Sequence, residues 1–242
     1  MTADRWTRVV REQLGLGRLL PLGGPRDGSW IAESAAESIL RRFMEGVPGV
    51  RLGPLRIAPA GPDDGQEPAV PPPPSALPPG PLRVTADFTA SGTEPLPAAA
   101  SRLRDALARA ATEAVGLTVT EVDLRVTGLG EEEAVPPSGG AARSDGSDVR
   151  PGSGDESLVA AAALSVPGVS RLTGTLGGLG RAVHIEERQE APASLPRRHV
   201  RVEVAVHPGH RPLTVAREVR AAVTAALPDG PTVAVLITSV AP

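Results

Sequence analysis

The chain has 242 residues and 24.8 kDa, room for one large domain or two small ones at roughly 150 residues per domain. With no Cys, no Lys and no Asn, it excludes disulfides, thiolate and Schiff-base chemistry, cysteine metal sites, a Walker phosphate loop and N-glycosylation, and all 25 basic residues are Arg. A net charge of −3 and only four aromatic residues speak against a basic, base-stacking nucleic-acid surface. Glycine and proline, 27 each, approach the share typical of low-complexity chains, yet 40% of residues are apolar, so the irregular chain must be concentrated in segments around a real core.

The first element is a helix over Asp4–Leu14, with Trp6, Val9, Val10 and Leu14 on one face and Arg5, Arg8, Arg11 and Glu12 around it. This face is the candidate partner-binding surface. The same pattern also suits a peripheral membrane contact or docking on its own domain. Arg18–Leu22 suits a short strand, Asp27-Gly28-Ser29 a turn and helix cap, and Ile31–Glu45 a helix whose Glu33, Glu37 and Arg41 form an i,i+4 charge ladder. Val47-Pro48-Gly49-Val50 follows, and then Pro59–Pro81, with four consecutive prolines, predicts an extended, solvated segment. Arg83–Phe88 alternates as a strand. A helix opened by Pro95-Leu96-Pro97 aligns Leu96, Ala99, Leu103 and Leu107, and Thr118–Thr127 is a strand with Val122, Leu124 and Val126 on one side.

Glu131–Glu156 is an acidic Gly/Ser linker, after which the order of elements recurs. Ser157–Ser165 predicts a helix, Val166-Pro167-Gly168-Val169 repeats the earlier tetrapeptide, and Val183-His184-Ile185 and Arg201–Val206 read as strands. Pro212 opens a helix with Leu213, Val215, Val219 and Val223 on one face, and Thr232–Val240 closes as a strand. The offset between copies is 119 residues at Val47/Val166 and 114 at Val119/Val233. The expected fold class is α+β: two small repeated modules, each a sheet of about three or four strands covered by two helices. The domain boundaries that follow are an N-terminal helix over 1–17, module 1 over 18–130 with its Pro-rich loop at 59–81, a linker over 131–156 and module 2 over 157–242.

These residues resemble the alkaline shock protein family of Gram-positive bacteria, also described as envelope stress response proteins. The likeness rests on Ile31-Ala32-Glu33-Ser34-Ala35-Ala36 leading to Val47-Pro48-Gly49-Val50, and on the strand Val84–Phe88 with Gly92. It continues through the helix marked by Pro97 to Gly116-Leu117-Thr118-Val119-Thr120-Glu121-Val122-Asp123-Leu124. It covers most of residues 28–128 and, in more degenerate form, 157–241. What the resemblance implies is a non-enzymatic cytoplasmic protein, at most peripheral to a membrane, that associates with membrane-anchored partners and supports cell-envelope homeostasis.

The residues themselves offer no catalytic, metal or cofactor constellation. Gly174–Gly180 is read as a hairpin turn and not a phosphate cradle, because Arg181–Glu187 continues as a strand where a dinucleotide fingerprint needs a helix. His207-Pro208-Gly209-His210 makes a turn and does not give the helical His-x-x-x-His convergence that zinc requires. The expected function is therefore a non-catalytic scaffold or adaptor binding a protein partner at the cytoplasmic face of the cell envelope, with no nucleic acid and no cofactor; self-association stays open. The competing class is a small-ligand binder or enzyme using the cleft between the repeats through His207, His210 and Arg211.

Overall fold

Strand β1 (Leu19–Pro21) turns back into β2 (Ser29–Ala32), and all seven of their residues are buried. The computed structural model describes residues 16–130, 154–175, 181–188 and 197–241. Within them the chain is α+β, with nine strands in two sheets and four helices. The N-terminal helix expected over 1–17 and most of the linker expected over 131–156 lie outside the described residues.

Helix α1 (Glu33–Met44) starts two residues later than the pattern predicts, because Ile31 and Ala32 belong to β2. Ile31 sits between Leu20 of β1 and Ile237 of β9 (Thr232–Val240), where a pleated strand and not a helix satisfies the backbone on both sides. The amphipathic face of α1 buries Ala35, Ala36, Ile39, Leu40 and Met44. Its charge ladder is split: Arg41 bonds Glu37 at 2.6 Å, while Glu33 turns away to the Ile57 N–H.

The Val-Pro-Gly-Val turn then feeds β3 (Val50–Pro59), which runs antiparallel to β4 (Leu82–Ala90). Helix α2 (Leu96–Arg109) continues without a break into a π-helical turn (Ala110–Val115), and the crossover returns the chain to β5 (Val119–Leu129), parallel to β4. The order β3-β4-β5 gives a three-stranded sheet with one apolar face: Leu82, Val84, Ala86, Phe88 and Ala90 are buried, and α1 and α2 pack on this sheet. Its opposite face is polar, with Arg83 bonded to Glu121 at 2.6 Å across the β4–β5 pair.

In the second half, α3 (Gly154–Leu164) leads to β6 (Val169–Leu172), which pairs antiparallel with the C-terminal part of β8 (Arg197–Val206). Strand β7 (Val183–Arg188) pairs antiparallel with the N-terminal part of the same edge. Helix α4 (Pro212–Ala226) crosses over to β9, parallel to β8. This sheet is larger than the three or four strands expected of a module. It has six, ordered β1-β2-β9-β8-β6 with β7 also on β8, because the β1–β2 hairpin adds to the free edge of β9 by a parallel β2–β9 pair. The first half thereby contributes two strands to the sheet of the second. Helix α1 packs against both β3 and β9, and one hydrophobic cluster runs through both sheets.

The Pro-rich stretch after β3 is irregular and largely solvated as expected, but part of it packs. It has no regular element beyond a single bridge from Ala76 to Leu19, yet Val70, Pro73 and Pro79 are buried. Backbone bonds from Ala69 N to Pro25 O and Leu77 N to Leu19 O tie it to the hairpin, and Trp30 Nε1 donates to Leu77 O at 3.1 Å. Extended proline conformers have unpaired carbonyls, and here a buried indole takes one of them.

Candidate functional site

A groove of about 490 Å³ lies between the C-terminal end of α1 and the flank of α2. Phe43 and Met44 come from α1; Arg102, Asp105, Ala106, Arg109, Ala110, Glu113 and Ala114 come from α2 and its π-helical turn. The spacing 102, 105/106, 109/110, 113/114 is that of one helical face, so the groove extends for about 18 Å along α2. Its floor is apolar: Met44 and Ala110 are buried, and Ala106 and Ala114 are partly buried. Phe43 stands beside it 52% exposed. A phenyl ring in that position leaves a large apolar area in water, and that area is recovered only when something covers it.

One end of the groove is rigid. Arg102 donates to both carboxylate oxygens of Glu94, and its Nη2 also reaches the Pro48 carbonyl at 2.7 Å. The Arg102 hydrogen bond holds the Glu94 carboxyl below the usual carboxylate range. The Val-Pro-Gly-Val turn is thus fastened to α2 by one guanidinium, and Gly49, at φ +72°, gives its carbonyl to the Ser91 N–H. The other end rests on the π-helical turn, which closes at Gly116 in the left-handed conformation. Such a turn widens the helix locally and re-aims the side chains it carries, here Glu113 and Ala114.

A second cluster lies on β8. Glu203 is fully buried, its Oε2 accepts from the Thr175 N–H at 2.8 Å, and nearby the hydroxyls of Thr173 and Thr238 are 2.7 Å apart. Register places His184 opposite Arg201 and Glu186 opposite His199. Burial and the neighbouring Arg201 charge lower the His184 pKa, so its imidazole is neutral at pH 7. His199 is itself buried and bonds the Thr232 hydroxyl at 2.9 Å. The carboxylate of Glu203 anchors the chain where it leaves β6; residues 176–180 of the glycine turn lie outside the described residues.

The histidines singled out in the sequence do not converge. The rings of His207 and His210 are 6.4 Å apart and tilted by 51°, and the His210 ring lies close against Gly168. Arg211 spends its guanidinium on the Thr112 carbonyl at 2.9 Å, fastening α4 to the π-helical turn. Among the described residues, no group of three or more His, Cys, Asp or Glu could hold a metal ion, and no helix is long and apolar enough to cross a membrane. Trp6, Val9, Val10 and Leu14 fall outside the described residues.

No protein-family model matches the chain, and no curated protein matches it. The functional reading therefore rests on the groove. Sequence patterning alone passed over it, although two signals were present. Phe43, seven residues after Ala36 and three after Leu40, carries the apolar stripe of α1 into its last turn, and Ala106, Ala110 and Ala114 recur every fourth residue along the flank of α2 beside its leucines. Glu203 was hidden for the opposite reason. In Val200-Arg201-Val202-Glu203-Val204 the alternation assigns the charged positions to solvent, and only the segment folded over β8 makes Glu203 internal.

Proposed function

We propose that this protein is a non-catalytic scaffold or adaptor of alkaline-shock-like build, and that the groove between α1 and α2 takes an apolar helix of a protein partner. The observation that carries the reading is the half-exposed Phe43 beside an alanine-and-methionine floor. Three turns of an amphipathic helix are about 16 Å long and fit its length. Small floor residues let a partner backbone approach closely, while Asp105, Arg109 and Glu113 on the rim supply charges of both signs that select its flanking residues. The N-terminal face of Trp6, Val9, Val10 and Leu14 is the second contact in this proposal, and a partner at the cytoplasmic face of the cell envelope is its setting.

The duplication of an ancestral module belongs to the same proposal. It is supported by the pairing sense, antiparallel then parallel, in both β3-β4-β5 and β6-β8-β9. It is further supported by a register shift at the same place in both parallel pairs: Thr127 bonds the Phe88 carbonyl in one, and Thr238 the Val204 carbonyl in the other.

Affinity capture from membrane and cytosolic fractions of the native cell, comparing the wild-type chain with Phe43→Asp and Ala106→Arg, tests the reading. The expected outcome is a stoichiometric protein captured by the wild type and lost from both variants, with the partner retained by a His207→Ala/His210→Ala control. A partner held equally by all four chains removes the groove from the proposal. Loss confined to the histidine control transfers the function to the turn before α4.

A further inference from the structure

Strand β5 is eleven residues long and ends its sheet, and among the described residues no strand pairs with its outer side. Long unpaired edges invite another strand, and short edges, bulges or inward charges commonly prevent it. Here the centre of the edge is regular, the register shifts against β4 falling only at its two ends, between Val119 and Glu121 and after Val126. Val122 and Leu124 are only partly buried, Val126 is 37% exposed and Leu129 68% exposed, unlike the fully buried Val235 and Ile237 of β9, whose corresponding side is covered by β2.

The pattern of this edge is self-complementary. Val122-Asp123-Leu124-Arg125-Val126 reads apolar, acidic, apolar, basic, apolar, and reversing it exchanges acid for base. We propose that β5 is a self-association edge, pairing antiparallel with β5 of a second copy of this chain about a two-fold axis through Leu124. In that register Val122 faces Val126 of the second copy on the helix-covered side, and Leu124 meets its own equivalent. Asp123 meets Arg125 of the second copy on the polar side, and the symmetry makes that contact twice. Directly opposed cross-strand charges stabilise a pair when opposite and destabilise it when alike. Arg83, bonded to Glu121 and 3.5 Å from Asp123, leaves the polar patch of two arginines and two carboxylates without net charge, so no field opposes the approach. Arg104 of α2, which reaches the Val122 carbonyl at 3.2 Å, gives up that contact to the incoming strand. The product is a continuous six-stranded sheet, three strands from each copy.

Sedimentation equilibrium of the full chain tests this, and a reversible dimer is expected. Asp123→Arg and Arg125→Asp each place like charges opposite one another twice, and each is expected to raise the dimer dissociation constant about tenfold or more. The double variant Asp123→Arg/Arg125→Asp restores opposite charges at both contacts and is expected to restore the dimer. Both side chains are exposed, so circular dichroism is expected to be unchanged; Val126→Lys, on the other side of the strand, gives an independent weakening. A monomeric wild-type chain overturns the proposal. So does a dimer indifferent to the single substitutions, or a double variant that associates no better than either single one.

Discussion

Gly116 is where three parts of the molecule meet. It terminates the π-helical turn at φ +102°, gives its carbonyl to the Gly23 N–H, and lies so close to α4 that a Cβ would stand 2.4 Å from Leu213 Cβ. An alanine there carries both the left-handed penalty and a clash with an atom that cannot swing aside, so Gly116→Ala is expected to cost about 2–4 kcal/mol. Gly49, at φ +72°, meets only the Ser91 and Glu94 side-chain ends and the tip of Arg102, and its alanine variant should lose about 1–2 kcal/mol. Gly92 has nothing within 4 Å and serves as the control. Urea denaturation midpoints rank the three, and a Gly116→Ala midpoint near that of Gly92→Ala would show that the helix end is not held as described.

At the scale of elements, the turn between β1 and β2 is fixed to α4 by one carboxylate. Arg217 donates to both oxygens of Asp27, at 2.8 and 3.1 Å, and the Gly24 N–H adds a third bond at 2.8 Å. Burial on its own would raise the Asp27 pKa, but the Arg217 bond, the Gly24 amide and the charges of Arg217 and Arg220 together hold it below the ordinary value. A carboxylate depressed in the folded state contributes stability that is present above its unfolded pKa, near 3.9, and lost as pH falls through the folded value. Asp27→Asn should therefore flatten the acid limb of the stability curve. With Arg217 more than half exposed, it should cost only about 0.5–1 kcal/mol at neutral pH, as read by denaturation at a series of pH values. Period and helix-opening prolines made most elements legible: Leu103 and Leu107 on α2, Val219 and Val223 on α4, and the alternation of β4 are buried as the patterns require. The start of α1 was not legible, since Trp30-Ile31-Ala32 suits either a helix or a strand until its neighbours are known.

For the whole molecule, the decisive contact is the parallel pair of β2 with β9, joining residues more than 200 positions apart in sequence. The Pro-rich segment is drawn in with it, through the Trp30–Leu77 bond and Val70 seated over Gly28. Trp30→Phe leaves the Leu77 carbonyl without its donor and a void where the larger indole was buried, an expected loss of about 2–4 kcal/mol. Hydrogen exchange at the Ala69 and Leu77 amides should accelerate more than exchange in β8, because the segment opens locally while the sheet persists. Equal acceleration everywhere would mean that the segment and the sheet unfold as one unit.

By itself, the sequence determined that α2, α4 and β4 form and which face of each is apolar, because side-chain period is a local property of the backbone. It also bounded the chemistry, through the residue types that are absent. Only the tertiary structure decided that β1 and β2 extend the sheet of the second half, that β5 ends its own, and that Val70, Pro73 and Pro79 pack inward while Pro62, Pro72, Pro74 and Pro78 stay exposed. Alternation states which face of a strand is buried, but the hydrogen-bonding edges of one strand are chemically like those of any other. Which edge meets which is therefore set by the long-range packing of α1 and α4 against β9, and no local pattern in the chain records it.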